Sequence, residues 1–203
     1  PLVIKKNWGQ EIISMPEFAP ELGIFSNEPI NTAKTRQFLE SIPSRFRYYR
    51  ITLNKFNPLE SSYIPINFQK KYELDLIGPY HKLAGNFSPA LRSKLNMAMA
   101  QRFVMVKGLA PNELIQFIIH HGIRIKKAVS SHNFRLLRTI IAGLIRYKSG
   151  ELFGVYNSHN QLASIVLISW FTNRLYLQFQ VTDPGQSLYY PHLFLIDRII
   201  EKY

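Results

Sequence analysis

The spacing of apolar positions changes twice along the chain, and each change marks a different kind of element. Up to about residue 75 the apolar runs are short and broken by Pro, Gly and Asn, as in Leu2-Val3-Ile4, Ile12-Ile13 and Leu22-Gly23-Ile24-Phe25. Runs of this kind read as short strands joined by turns. A strand is expected over 46–53 (FRYYRITL), rich in aromatic and β-branched residues, and another over 72–76 (YELDL), where apolar and acidic residues alternate. One helix interrupts them. Asn31 or Thr32 caps it, Ala33, Phe38, Leu39 and Ile42 share one face, and Pro43 ends it.

From residue 76 to 150 the period lengthens to that of a helix. Pro79 starts a short helix through His81, Lys82 and Leu83, and Ser88-Pro89 supplies a cap followed by proline at the first helical position. A short strand is expected at 103–106. Beyond it, Pro111-Asn112-Glu113 opens a helix carrying Leu114, Phe117, Ile118 and His121. The longest helix is expected over 132–147, with Leu136, Leu137, Ile140, Ile141, Leu144 and Ile145 as its apolar face.

The last third returns to strands. Three are expected, at 151–156, 161–171 and 174–181, joined by the turns 157–160 and Thr172-Asn173. A loop over 182–187 leads into a helix from about Tyr189 to Tyr203. Helices, then an antiparallel meander, a loop and a helix define an α+β fold, with a mixed, mostly antiparallel sheet flanked by helices.

Composition narrows the class. With 46% hydrophobic and 19% charged residues among 203, the chain has enough apolar surface to offset chain entropy. It contains no Cys, which removes disulfides, thiolate nucleophiles and zinc fingers together. No apolar run is long enough to span a bilayer, since the longest, at 162–171, already holds Ser164 and Ser169. No secretory leader opens the sequence, and a cytoplasmic protein is expected.

The net charge of +12 is unevenly placed. Residues 76–150 hold twelve basic side chains and one acid, Glu113. Helix surfaces usually alternate sign so that neighbours attract. Two readings stand: a solvated helical face that lacks acids, or a surface that meets phosphate or RNA. Arg92, Lys94, Arg124 and Arg135 are the candidate anion contacts, with Arg102, Lys126, Lys127 and Arg138 beside them.

The ordered series ELGIFS (21–26), FRYYRITL (46–53), YELDL (72–76), FSPALRSKLNMA (87–98), GELFGVYN (150–157) and the helix 192–203 resembles the FemAB-like branch of the GNAT acyltransferase superfamily. The resemblance implies a GNAT-like fold in two parts. Residues 1–75 would be the remnant of a first half, and 76–203 a second half lacking its closing strands. It further implies transfer of an acyl or aminoacyl group from an activated carrier, acyl-CoA or aminoacyl-tRNA, to an amine acceptor, without a metal. The donor loop departs from the family pattern Arg/Gln-x-x-Gly-x-Gly/Ala, because 182–190 supplies only Gly185. A charged-tRNA donor would suit both that loop and the basic middle segment.

Site candidates follow. Gly185, Gln186 and Ser187, ahead of the final helix, could present free amides to a donor's phosphate, although Pro184-Gly185 is also an ordinary turn pair. Glu73 and Asp75, two apart on one expected strand, face the same side and are candidate bases for the amine; a hydrated or salt-bridged strand face is the commoner explanation. Tyr190, like Tyr189, is a candidate leaving-group acid or a packing residue. His120 and His121 point about 100° apart on a helix and do not suit a shared metal. The rival function is a non-catalytic GNAT-like module that binds RNA or another polyanion; a third is a piece without independent activity. The enzyme reading expects a cleft between the strand at 161–171 and its successor, beside Gly185. The module reading expects Tyr189, Tyr190 or Phe179 to fill it.

Overall fold

A computed structural model describes residues 2–7, 9–19, 21–60, 65–121, 131–171 and 173–203. The chain divides into two compact units, Pro1–Tyr72 and Glu73–Tyr203, close to the division expected at 75/76.

In the first unit, β1 (Val3–Asn7) and β2 (Gln10–Ser14) form an antiparallel hairpin. Gly9 takes φ +78° in its turn, a conformation that glycine adopts without strain. Helix α1 (Thr32–Glu40) begins at Asn31, whose side chain accepts from the Lys34 amide at 2.8 Å. Its Thr35 and Leu39 are buried. The strand expected over 46–53 reduces to two isolated bridges, Ile13 to Tyr49 and Leu22 to Leu53. Side chains replace the missing ladder. Asn57 accepts from the Ile24 amide at 2.8 Å and donates to the Ile24 carbonyl at 3.1 Å. Gly23 is required there, because a Cβ would lie 2.0 Å from Asn54 Nδ2.

The second unit opens on irregular backbone. The strand expected over 72–76 is absent, and α2 (Tyr80–Gly85) follows with Pro79 as its cap. Helix α3 (Pro89–Met99) starts as expected, with Ser88 accepting from the Leu91 amide at 3.2 Å. Then come β3 (Val104–Lys107), α4 (Pro111–His121) and α5 (Ser131–Arg146). The meander β4 (Gly150–Tyr156), β5 (Leu162–Phe171) and β6 (Arg174–Thr182) follows, then a 3₁₀ turn at Pro184–Tyr189 and helix α6 (Pro191–Lys202).

The four strands form one antiparallel sheet in the order β3-β4-β5-β6. The α+β class is therefore observed, and this sheet is antiparallel throughout among the described residues. Helices cover both faces. Phe153, Val155, Val166 and Ile168 pack with Ala98 of α3 and with Phe194, Leu195 and Ile199 of α6. Helices α4 and α5 pack on the opposite face, against β4, β5 and β6. There a Cβ at Gly154 would meet Leu109 Cδ1 at 2.5 Å and Leu162 Cδ1 at 2.8 Å. Strand β5 is buried without a break from Ala163 to Ser169, which explains its unbroken apolar sequence. No described helix is long and apolar enough to cross a membrane.

Candidate functional site

The most promising concavity lies between α4 and the end of the sheet where β4 finishes and β5 begins. It is shallow and open to solvent, with a volume of about 310 Å³, and is lined by Glu113, Gln116, Phe117, His120, His121, Tyr156 and Leu162. Residues at i, i+3, i+4, i+7 and i+8 of α4 supply one wall, since they share a helix face. Tyr156 is the last residue of β4, and Leu162 the first of β5.

Glu113 sits in the first turn of α4, where a carboxylate complements the helix dipole. Its Oε2 accepts from the Ala110 amide at 2.5 Å, and its Oε1 lies 3.5 Å from the Tyr156 hydroxyl. Burial first, and then the nearby Glu113 charge and hydrogen bond, push the Tyr156 phenol above its ordinary value. The group therefore keeps its proton and remains a donor. At the other end of the wall, His121 Nδ1 lies 3.2 Å from Asp183 Oδ1, and the His121 ring is 4.7 Å from that of Phe117. The Asp183 carboxylate thus faces Nδ1 of the ring. His120 turns its Nδ1 to the Gln116 carbonyl, at 2.7 Å. The cavity thus holds a carboxylate, a phenol that stays protonated and an imidazole oriented by a second carboxylate.

The residues singled out from sequence are distributed differently. Glu73 and Asp75 lie on irregular, exposed backbone rather than on a strand, so the shared strand face does not exist. Glu73 lies 3.9 Å from Arg174 Nη1, and Asp75 accepts from the Ile77 amide at 2.9 Å in a local turn. The phosphate loop is also closed. Asp183 Oδ1 accepts from the Gly185 amide at 2.9 Å, the Gln186 amide donates to the Asp183 carbonyl at 3.0 Å, and the Ser187 hydroxyl donates to the Pro184 carbonyl at 2.8 Å. The place of an anion at this turn is taken by the chain's own carboxylate. Nor is there a cleft between β5 and β6, which pair from Ser164/Thr182 to Phe171/Arg174 with one irregularity at Leu167/Ile168.

Two candidates do meet. Tyr190 caps α6 in the left-handed region (φ +54°), and Lys94 Nζ lies 5.5 Å from its ring centre. The Tyr190 ring is 6.3 Å from that of His192, whose pKa is lowered first by burial and then by Lys94. This places Tyr190 as a cap beside α3, in contact with neither His121 nor Glu113 through any bond described above. Arg92 spends its Nε on the Phe87 carbonyl at 2.9 Å. Arg135 is exposed on α5. Helix α3, which carries Arg92 and Lys94, packs against α6 and the 3₁₀ turn, whereas α5, which carries Arg135, packs against α4 and β4. The basic segment is split by the fold. Arg124, Lys126 and Lys127 lie outside the described residues.

A second polar cluster ties α2 to α6. Asp197 is only 2% exposed, accepts from the Tyr80 hydroxyl at 2.5 Å, and pairs with Arg198 Nη2 at 3.0 Å. Burial, then the bond and charge of Asp197, push the Tyr80 phenol to about 12. These contacts read as architecture: a buried carboxylate with two donors. Among the described residues no group of three or more His, Cys, Asp or Glu side chains is placed to hold a metal ion.

Sequence reasoning missed Tyr156 and the partnership of His121 with Asp183. One signal was present: Glu113 is the single acid in an otherwise basic stretch. No protein-family model matches the chain, and no curated protein matches it.

Proposed function

We propose that the chain is an N-acyltransferase of the FemAB-like branch of the GNAT superfamily, moving an acyl or aminoacyl group from acyl-CoA or aminoacyl-tRNA to an amine. The observation that carries the reading is the His121–Asp183 pair, 3.2 Å apart, on the wall of the α4 cavity. The order of antiparallel meander, short turn and helix in residues 150–202 supports it as well. In this reading His121 Nε2 takes the proton that the amine loses as its nitrogen attacks the acyl carbonyl, and Asp183 holds the imidazole in the required tautomer. Tyr156, kept protonated, donates a hydrogen bond to charge developing on the acyl oxygen. Because the Gly185 amide is already bonded, the donor's phosphates are not assigned to 185–187.

The test is an acyl-transfer assay with acetyl-CoA, longer acyl-CoAs and charged tRNA against a panel of primary amines. His121→Ala should abolish turnover while leaving the circular dichroism spectrum intact. No turnover with any donor would overturn the proposal.

One observation favours the polyanion-binding reading. Helix α5 exposes Arg135, Arg138 and Arg146 and contains no acid. Thermal-shift titration with RNA at two salt concentrations decides between them, since phosphate neutralisation makes binding fall steeply with salt.

A further inference from the structure

The walls of the α4 cavity combine a single carboxylate with aromatic faces, and this combination has its own chemistry. We infer that the cavity binds a small organic ammonium ion, seated between the Glu113 carboxylate and the rings of Tyr156 and Phe117. The inference rests on the acyltransferase reading only in identifying that ion, once it has given up a proton to solvent, as the acceptor amine; the binding itself is independent of any donor.

Glu113 is the one carboxylate lining the cavity. Its Oε2 is committed to the Ala110 amide at 2.5 Å, whereas its Oε1 has only a long 3.5 Å approach from the Tyr156 hydroxyl. That oxygen keeps lone pairs for a cation. Tyr156 and Phe117 add electron-rich ring faces, which attract a cation at short range, and Leu162 adds an apolar surface for an alkyl stem. The concavity is shallow and open, about 310 Å³, so it can seat the ammonium head of a small amine against this wall. An inorganic cation is a poorer fit, because no cluster of oxygen ligands converges among the described residues. The placement is also selective in charge: the sole acid between residues 76 and 150 is spent on this wall.

Choline and its uncharged isostere 3,3-dimethyl-1-butanol test the inference, titrated by calorimetry into the intact protein without any acyl donor. Choline should bind at least about tenfold more tightly than the alcohol, the difference reporting the charge alone. Glu113→Gln keeps the amide-accepting oxygen at the helix start and should remove most of that preference. Tyr156→Leu should reduce it, because it removes both the ring and the hydroxyl that lies 3.5 Å from Glu113 Oε1. Equal affinity for choline and the alcohol, or a preference that survives Glu113→Gln, would overturn the inference. Failure of acyl transfer with choline binding intact would instead sink the acyltransferase reading alone.

Discussion

Replacing Tyr80 by Phe removes one oxygen and leaves the buried Asp197 carboxylate with Arg198 alone. In the native chain Asp197, 2% exposed, is held by the Tyr80 hydroxyl at 2.5 Å and by Arg198 at 3.0 Å. A hydrogen bond to an ionised group contributes about 1.5–3 kcal/mol. Linkage sets an upper bound, because burial is a larger cause of the phenol's shift than the bond itself. A phenol pKa raised from 10.0 to about 12 corresponds to a ceiling of roughly 2.7 kcal/mol, which solvent screening reduces to about 1–2 kcal/mol. The sign is fixed by the direction of the shift. The folded state favours the protonated phenol, so the stabilisation is complete below pH 10 and is lost as pH rises toward 12. Urea denaturation of the wild type and Tyr80→Phe at pH 7 should therefore differ by about 1–2 kcal/mol, with unchanged m-value. Between pH 10 and 11.5 the gap should close, because ionisation of the other tyrosines cancels in the difference. A cost under about 0.5 kcal/mol at pH 7, or a gap that stays constant to pH 11.5, would refute the reasoning.

Other perturbations have defined outcomes. Asn31→Ala removes the cap of α1 and should cost about 1 kcal/mol in the same assay, with Asn31→Ser recovering most of it. Gly154→Ala drives a methyl against Leu109 and Leu162 and should destabilise by about 1–3 kcal/mol, whereas Gly85→Ala, with open space around it, should not. Lys94→Gln should raise the His192 pKa only part of the way, since burial is the larger cause; NMR titration of the imidazole checks this. Because that pKa is depressed in the folded state, stability should fall as pH drops below about 6.5, and less so in Lys94→Gln.

What the sequence disclosed was what depends on near neighbours. The caps at Asn31 and Ser88-Pro89 act within three or four residues, and both formed as read. The period of α5 and the unbroken apolar run of β5 likewise report their own burial. The alternation at 72–76 failed because strand propensity needs a partner, and those residues have no ladder to join. The stretch 46–53 met the same limit with only two bridges. Glu113 and Tyr156 are brought together by an antiparallel sheet, and His121 meets Asp183 only after β6 has crossed the molecule; no spacing rule encodes either pair. At 183–187 the local signal was ambiguous in kind. An Asp ahead of Pro-Gly is as good a side-chain cap as a glycine is a phosphate cradle, and the cap formed.

The strand order β3-β4-β5-β6 has a consequence for how the chain is made. Helices α4 and α5 precede β4, β5 and β6 in sequence, yet they pack against those strands. During synthesis, Leu114, Ile118, Leu137 and Ile141 emerge before the surface that buries them exists. The meander itself needs only sequence neighbours and closes quickly once made, whereas β3 must wait for β4 across the stretch that holds α4 and α5. Nascent chains stalled before residue 150 should therefore expose an unsatisfied helical surface, the condition under which chaperones engage and aggregation competes with folding.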